Sequence, residues 1–85
     1  MEGGKMSIKR VKFTYEQAMI KEPIISMLSK DFDIVTNIRR ADVREDMGWV
    51  VLEITGKEEE IQRSLDWVST KGVRVDPISG DVVEG

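Results

Sequence analysis

Two kinds of polar side chain that bind small ligands occur close together in one β-rich run of the sequence. Asn37 lies in the middle of this run, and Arg39 and Arg40 follow it. An amide offers donors and an acceptor, and a guanidinium pairs bidentately with a carboxylate, so the run could bind the polar head of a small carboxylate ligand. A structural interpretation stays open, in which Asn37 stabilises a bulge or meets solvent and the arginines keep an edge strand from associating.

Two missing residue types narrow the chemistry further. The 85 residues include no histidine and no cysteine, which excludes disulfides, imidazole and thiolate ligands, and nucleophiles of the Ser-His or Cys-His kind. Glu58, Glu59 and Glu60 are consecutive, so on a helix they point in three directions and favour a helix start over a metal site. We therefore predict a protein with no catalytic residues, no metal and no cofactor.

The overall charge and hydropathy indicate where the chain resides. The formal net charge is −3, which gives no overall attraction to nucleic acid or anionic lipid. No apolar run approaches the ~20 residues that span a bilayer, and the glycine-rich start lacks the apolar region of a signal peptide. The prediction is a cytoplasmic protein with no membrane insertion and no nucleic-acid partner.

Hydrophobic periodicity predicts six elements in the order strand, helix, strand, strand, helix, strand. Their predicted bounds are 6–15, 23–31, 33–45, 49–54, 58–71 and 73–76, with a slip in the alternation near Arg40 and a positive-φ turn at Gly48. This order is the signature of an α+β, ferredoxin-like βαββαβ sandwich. We expect an antiparallel four-stranded sheet of order 4-1-3-2 with both helices on one face.

The chain length leaves room for one small core. Residues 6–78 are predicted to form the single domain. The glycine-rich residues 1–5 and the polar residues 79–85 are predicted to be flexible ends.

Because two helices cover only one side of such a sheet, strand alternation assigns side chains to an uncovered side. The apolar residues predicted there are Ile8, Val35, Trp49 and Val51. An exposed apolar patch of this kind marks a partner or ligand surface, so we expect a homodimer or a larger partner to cover it. The alternative is that these residues simply favour strands.

A family resemblance rests on several short segments in a fixed order, which together span about Val11 to Ile78. These segments are Phe13-Thr14, Glu22-Pro23-Ile24-Ile25, Asp33-Ile34-Val35-Thr36-Asn37-Ile38, Gly48-Trp49 leading into Val50 to Gly56, Leu65-Asp66-Trp67, and Lys71-Gly72-Val73-Arg74-Val75. In these segments the chain resembles the NIL domain, a small ferredoxin-like, ACT-like module. Such modules are appended to ATPase subunits of methionine-importing ABC transporters and also occur beside ferredoxin-type domains.

The resemblance implies a function as well as a fold. In transporter members the module dimerises and binds methionine between subunits, and the bound amino acid inhibits import. The family's strand-two asparagine corresponds to Asn37, and the name-giving Asn-Ile-Leu reads Asn37-Ile38-Arg39 here, with a guanidinium at an apolar position. The resemblance implies that Asn37 binds the ligand, beside Ile38 and Arg39 of the same motif. For the rest of the pocket, we expect contributions from Val35 and from the Pro23-Ile24 turn of an opposing subunit. A ferredoxin-type protein or a transporter is the implied larger partner.

Three other function classes stay open on the sequence alone. The first is a structural interaction module in which edge strand two pairs with a partner and no ligand exists. The second is single-stranded RNA binding, since Trp49 with Arg10, Lys12 and Arg39 resembles a stacking platform, although the RNP1 pattern is missing. The third is an enzyme, for which we find no titratable pair that the predicted elements bring together.

Overall fold

The computed structural model describes residues 5–16, 23–44 and 47–78. Its elements are β1 (Met6–Glu16), α1 (Ile24–Asp31), β2 (Ile34–Val43), β3 (Met47–Lys57), α2 (Glu58–Thr70) and β4 (Arg74–Pro77). The four strands form one antiparallel sheet of order β2-β3-β1-β4, which confirms the predicted βαββαβ fold and strand order.

The two predicted flexible ends lie almost wholly outside the described residues. Lys5 is the exception, and its carbonyl accepts a hydrogen bond of 3.0 Å from the Glu58 N–H at the start of α2.

The core lies between the sheet and the two helices. Alternate side chains of β1 and β3 point into it because successive residues of a strand face opposite sides. Phe13, Leu52 and Ile54 are fully buried. From the helices, α1 contributes Ile24 and Leu28, and α2 contributes Ile61, Ser64, Leu65 and Val68. On each helix these buried positions recur at spacings of three or four residues and so form one stripe that faces the sheet.

Each helix begins where the sequence indicated. Pro23 directly precedes α1, and its carbonyl accepts the Met27 N–H at 3.0 Å. Proline suits this place because its fixed φ is compatible with a helix start and its missing N–H would have no partner there. At α2, Glu58, Glu59 and Glu60 occupy the first turn, where carboxylates complement the helix dipole.

Strand β3 differs from its prediction at both ends. It continues to Lys57, beyond the predicted end at Ile54, because Gly56 pairs with Ser7 on one side and Ile34 on the other. Gly48 does not have the positive φ that we expected. It is a buried strand residue, and an added Cβ would lie 3.3 Å from the Val43 Cα, so close strand approach explains the glycine. Asp46 of the predicted turn lies outside the described residues.

Gly72, which follows α2, is the described residue that needs positive φ, at 84°. A Cβ there would meet nothing within 4 Å, so alanine would be strained by backbone conformation alone. We expect Gly72→Ala to lower the free energy of unfolding by about 1 kcal/mol. Gly72→Asn should lose less, because asparagine tolerates the left-handed region better. Urea denaturation measures both, and equal losses in the two variants would contradict this explanation.

Candidate ligand and interaction surface

Strand register defines the side of the sheet that faces away from both helices, here called the open face. Ile8 pairs with Thr55, Arg10 with Glu53, Lys12 with Val51 and Thr14 with Trp49. On the other side of β3, Val35 pairs with Thr55 and Asn37 with Glu53. Directly opposed residues share a face, so all of these side chains lie on the open face.

The centre of the open face is polar, so this face is not one continuous apolar patch. Arg10 Nη2 donates a hydrogen bond to Glu53 Oε2, and Arg39 Nη1 lies 3.7 Å from the same oxygen. The ion pairs separate two apolar areas. One contains Ile8 and Val35, which are 67% and 66% exposed, and the other contains the half-buried Trp49 and Val51.

The Glu53 carboxylate is stabilised in its charged form. The hydrogen bond from Arg10 lowers its pKa, and the charges of Arg10 and Arg39 act in the same direction, while desolvation opposes them. A lowered pKa in the folded state means that this contribution to stability is present above the ordinary carboxyl pKa. It is lost as the pH falls through the lowered value.

We expect Glu53→Gln to lower the urea midpoint near neutral pH. The difference from the unchanged chain should shrink and vanish in acid, because protonated Glu53 and glutamine are then nearly equivalent. Glu16→Gln, which removes one exposed carboxylate from the same sheet, is the matched control. A Glu53→Gln deficit that is the same from neutral to acid pH would contradict the ion-pair explanation.

Trp49 is not covered by the helices, but a cation covers part of its ring. The Lys12 Nζ lies 5.2 Å from the ring centroid, within the range of a cation–π interaction. Across the strand pair, Trp49 is opposite Asp42, whose carboxylate accepts hydrogen bonds from Arg44. The indole therefore lies among charged groups.

The structure places the sequence-predicted ligand residues on different sides of edge strand β2. Val35, Asn37 and the Arg39 guanidinium are on the open face, and a register shift between Ile38 and Arg40 sets Arg39 apart as a bulge. Ile38 pairs with Leu52 and so lies on the helix side, yet it is 54% exposed. Ile38 is exposed because α1 is too short to cover the whole of β2: α1 extends about 12 Å, whereas β2 extends about 33 Å.

Pro23 and Ile24 differ in their availability to a ligand. Pro23 is exposed before α1, whereas Ile24 is 1% exposed and packs in the core. In this conformation of the single chain, the Ile24 side chain does not reach a surface.

Sequence reasoning missed two features. It did not recognise Glu53 as the shared partner of Arg10 and Arg39. The strand pairing that brings Arg10, Glu53 and Asn37 into one row was the signal that could have revealed this. It also missed a groove of about 520 Å³ between α2 and the β1–β4 edge, with Leu65, Val75 and Pro77 among its lining residues.

Two features are absent from the described ranges 5–16, 23–44 and 47–78. In those ranges no cluster of three or more Asp or Glu residues is arranged to hold a metal ion. No described helix has the length and apolar character needed to cross a membrane.

The βαββαβ topology, the helix-covered core and the mixed open face define a small α+β module of the ferredoxin-like class. Residues 9–77 match the model of the NIL domain. The chain belongs to the NIL domain family, and the resemblance predicted from the sequence is confirmed.

Similar proteins agree with this assignment. The chain is 33% identical over 75 residues to the methionine import ATP-binding protein MetN of Helicobacter pylori strain J99, and 32% identical to that of strain 26695. Each match covers 84% of this chain and 22% of the relative, so the chain spans about a fifth of the length of these relatives.

A solved structure shows the same fold. The C-terminal domain of an ABC transporter ATP-binding protein from Enterococcus faecalis superposes with a TM-score of 0.72 at 22% identity. The alignment covers 84% of this chain and 83% of that domain.

Proposed function

We propose that the chain is a non-catalytic regulatory module that binds a small amino acid, methionine or a close relative, at a dimer interface along β2. Two relatives are named as methionine import ATP-binding proteins, which favours methionine as the ligand and a cytoplasmic transporter component as the larger partner. Membership of the NIL family supports the same assignment.

The observation that carries this proposal is the exposed position of Asn37 on an edge strand beside Arg39. An amino acid presents a carboxylate and an ammonium, and an amide can hydrogen-bond to both. The Arg39 guanidinium supplies a positive charge for the carboxylate. Val35 and Ile38 add exposed apolar surface on the two faces of the strand.

One chain supplies only part of such a pocket. Ligand sites enclose most of a small molecule, whereas Asn37 and Val35 are exposed. A second copy, contributing surface near its own Pro23 and β2, would complete the walls. The Ile24 side chain is excluded from this role by its burial.

A thermal-shift titration tests the ligand. Because a ligand that binds only the native state stabilises it by mass action, L-methionine should raise the melting temperature progressively as its concentration increases. At 100 times its Kd, the free energy of unfolding should be about 2.7 kcal/mol higher than without ligand. D-methionine is the matched control, since it has the same atoms and the opposite stereocentre. Absence of any shift at millimolar L-methionine would contradict the proposal.

A structural interaction module is the second candidate. The observation that favours it is the exposed apolar character of β2, where Val35, Ile38 and Val43 are each more than half exposed. This candidate predicts self-association or partner binding with no response to amino acids, so the same titration distinguishes the two.

A further inference from the structure

We propose that the edge of β1 beside α2 is a docking site for a second protein, which adds an extended segment antiparallel to residues 6–8. The segment carries a carboxylate that pairs with Lys9 and β-branched residues that cover Met6 and Ile8. This edge lies on the opposite side of the sheet from β2, so the inference is independent of the proposed ligand site.

Strand β4 covers only part of its neighbour β1. Strand β1 begins at Met6, but its pairing with β4 runs only from Val11 to Thr14. The Ile78 N–H donates a hydrogen bond of 2.9 Å to the Arg10 carbonyl and extends this contact by one residue. Among the described residues, no strand pairs with this edge of β1 before Arg10.

The backbone groups of Met6 and Ile8 point toward the uncovered edge. The N–H and C=O groups of successive strand residues point to alternate edges of the strand. The Arg10 carbonyl points to the β4 side, whereas the Lys5 carbonyl accepts the Glu58 N–H on the β3 side. Because Met6 and Ile8 are separated from Arg10 by an even number of residues, each offers one donor and one acceptor to an added strand.

Helix α2 forms a second wall beside this edge. The groove of about 520 Å³ that separates α2 from β1 and β4 is lined by Ile8 of the edge itself. The buried side chains of Val11 and Leu65 and the half-buried Val75 provide an apolar base. In such an arrangement an added strand gains main-chain hydrogen bonds from the edge and places alternate side chains in the groove.

Exposed apolar side chains border the same edge on the open face. Met6 and Ile8 are 68% and 67% exposed. Directly opposed residues of two strands share a face, so residues added opposite Met6 and Ile8 would cover part of this apolar surface. Branched residues such as valine suit these positions because they favour strands and pack well on a pleated sheet.

The charge of the groove specifies the other face of the added segment. Lys9 pairs with the buried Ile54, so its half-buried side chain lies on the helix side, where it lines the groove. Lys9 forms no ion pair within the described part of the chain. On the α2 wall, the Asp66 carboxylate accepts a hydrogen bond of 3.1 Å from Gln62 Nε2. A carboxylate on the helix side of the segment therefore complements Lys9.

Residues 79–85 of the chain itself match this edge less well in sequence. Val11 pairs with Pro77, so continuing the register of β4 would bring Gly80 opposite Ile8. A glycine has no side chain to cover Ile8 and weakens a strand. A segment with a β-branched residue at this position gains more, which favours a second protein as the occupant.

A synthetic peptide tests the docking site on the ¹⁵N-labelled full chain. Antiparallel pairing of Ac-Thr-Val-Glu-Val-Thr-NH2 places its valines opposite Met6 and Ile8, and its glutamate opposite Ser7 and diagonal to Lys9. Saturable binding should shift the Met6 and Ile8 amides most and slow their hydrogen exchange. The Ser7 and Lys9 amides point to β3 and should keep their exchange rates, so they are the internal control.

Substitutions in the chain and in the peptide separate the charge and backbone contributions. Lys9→Gln, and glutamine in place of the peptide glutamate, should each raise the Kd about two- to fivefold, because each removes the same partly exposed ion pair. Lys30→Gln on α1 removes an exposed lysine away from the groove and should leave the Kd unchanged. Proline in place of both valines removes the two N–H donors directed at β1 and should abolish binding.

Three results would overturn the proposal. The first is no binding at millimolar peptide, and the second is binding that shifts the four amides of residues 6–9 equally. The third is slow exchange of the Met6 and Ile8 amides in the free chain that is lost when residues 79–85 are deleted, since the chain itself would then occupy the edge. None of these results bears on methionine binding at β2, so the proposed function is tested separately.

Discussion

Phe13→Ala is expected to remove most of the stability of the domain. Phe13 is completely buried on central strand β1, opposite Val50 on one side and Val75 on the other. Truncating a buried phenylalanine costs about 3–5 kcal/mol, because the transfer free energy is lost and a cavity remains. An 85-residue domain has a total stability of roughly 4–13 kcal/mol, so the variant should melt on the order of 20 °C lower.

Ile8→Ala is the control for this substitution. Ile8 lies on the same strand but is 67% exposed, so its truncation should change stability by less than about 0.5 kcal/mol. Thermal and urea unfolding of the two variants give the comparison. Similar losses for both would show that the helix side of β1 does not form the core.

Asn37→Ala is expected to weaken binding of L-methionine about 10- to 100-fold. A hydrogen bond to a charged group contributes about 1.5–3 kcal/mol, and each 1.4 kcal/mol corresponds to a factor of ten in Kd. Because Asn37 is exposed on the edge strand, its loss should leave the free energy of unfolding almost unchanged. Isothermal titration calorimetry measures the affinity, and urea denaturation checks the stability.

Two further variants make this result specific. Asn37→Asp keeps the shape of the side chain but adds a charge that repels a ligand carboxylate, so its affinity should be no better than that of the alanine variant. Thr14→Val removes a polar group from the far end of the open face, opposite Trp49, and should bind normally. Normal binding by Asn37→Ala would place the ligand elsewhere.

The fold could be predicted because local patterns and architecture agree. Periods of two and of three to four residues located every element, and Pro23 and the three glutamates of the first turn of α2 marked the helix starts. Gly48 shows where local reasoning fails. Glycine at a strand connection favours a positive-φ turn, but this glycine lies in a strand, where an added Cβ would be 3.3 Å from the Val43 Cα of the neighbouring strand, and only the strand register reveals this close approach.

The candidate site could be predicted only in part, because contacts between strands depend on the strand register and not on the local sequence. Alternation indicated which side chains share a face, and the register places Val35, Asn37 and Trp49 on the open face. Alternation along a single strand could not indicate that Arg10 and Arg39 converge on Glu53, because that contact joins three strands. Nor could it indicate that Ile38 is exposed, since this depends on the short length of α1 relative to β2.

An NMR titration of the ¹⁵N-labelled chain with L-methionine tests the central claim most directly, because it reports binding and location together. We expect saturable shifts that are largest at the backbone amides of Val35, Asn37 and Arg39, and no shifts with D-methionine. No shifts at millimolar L-methionine, or shifts confined to the groove beside α2 and β4, would contradict it.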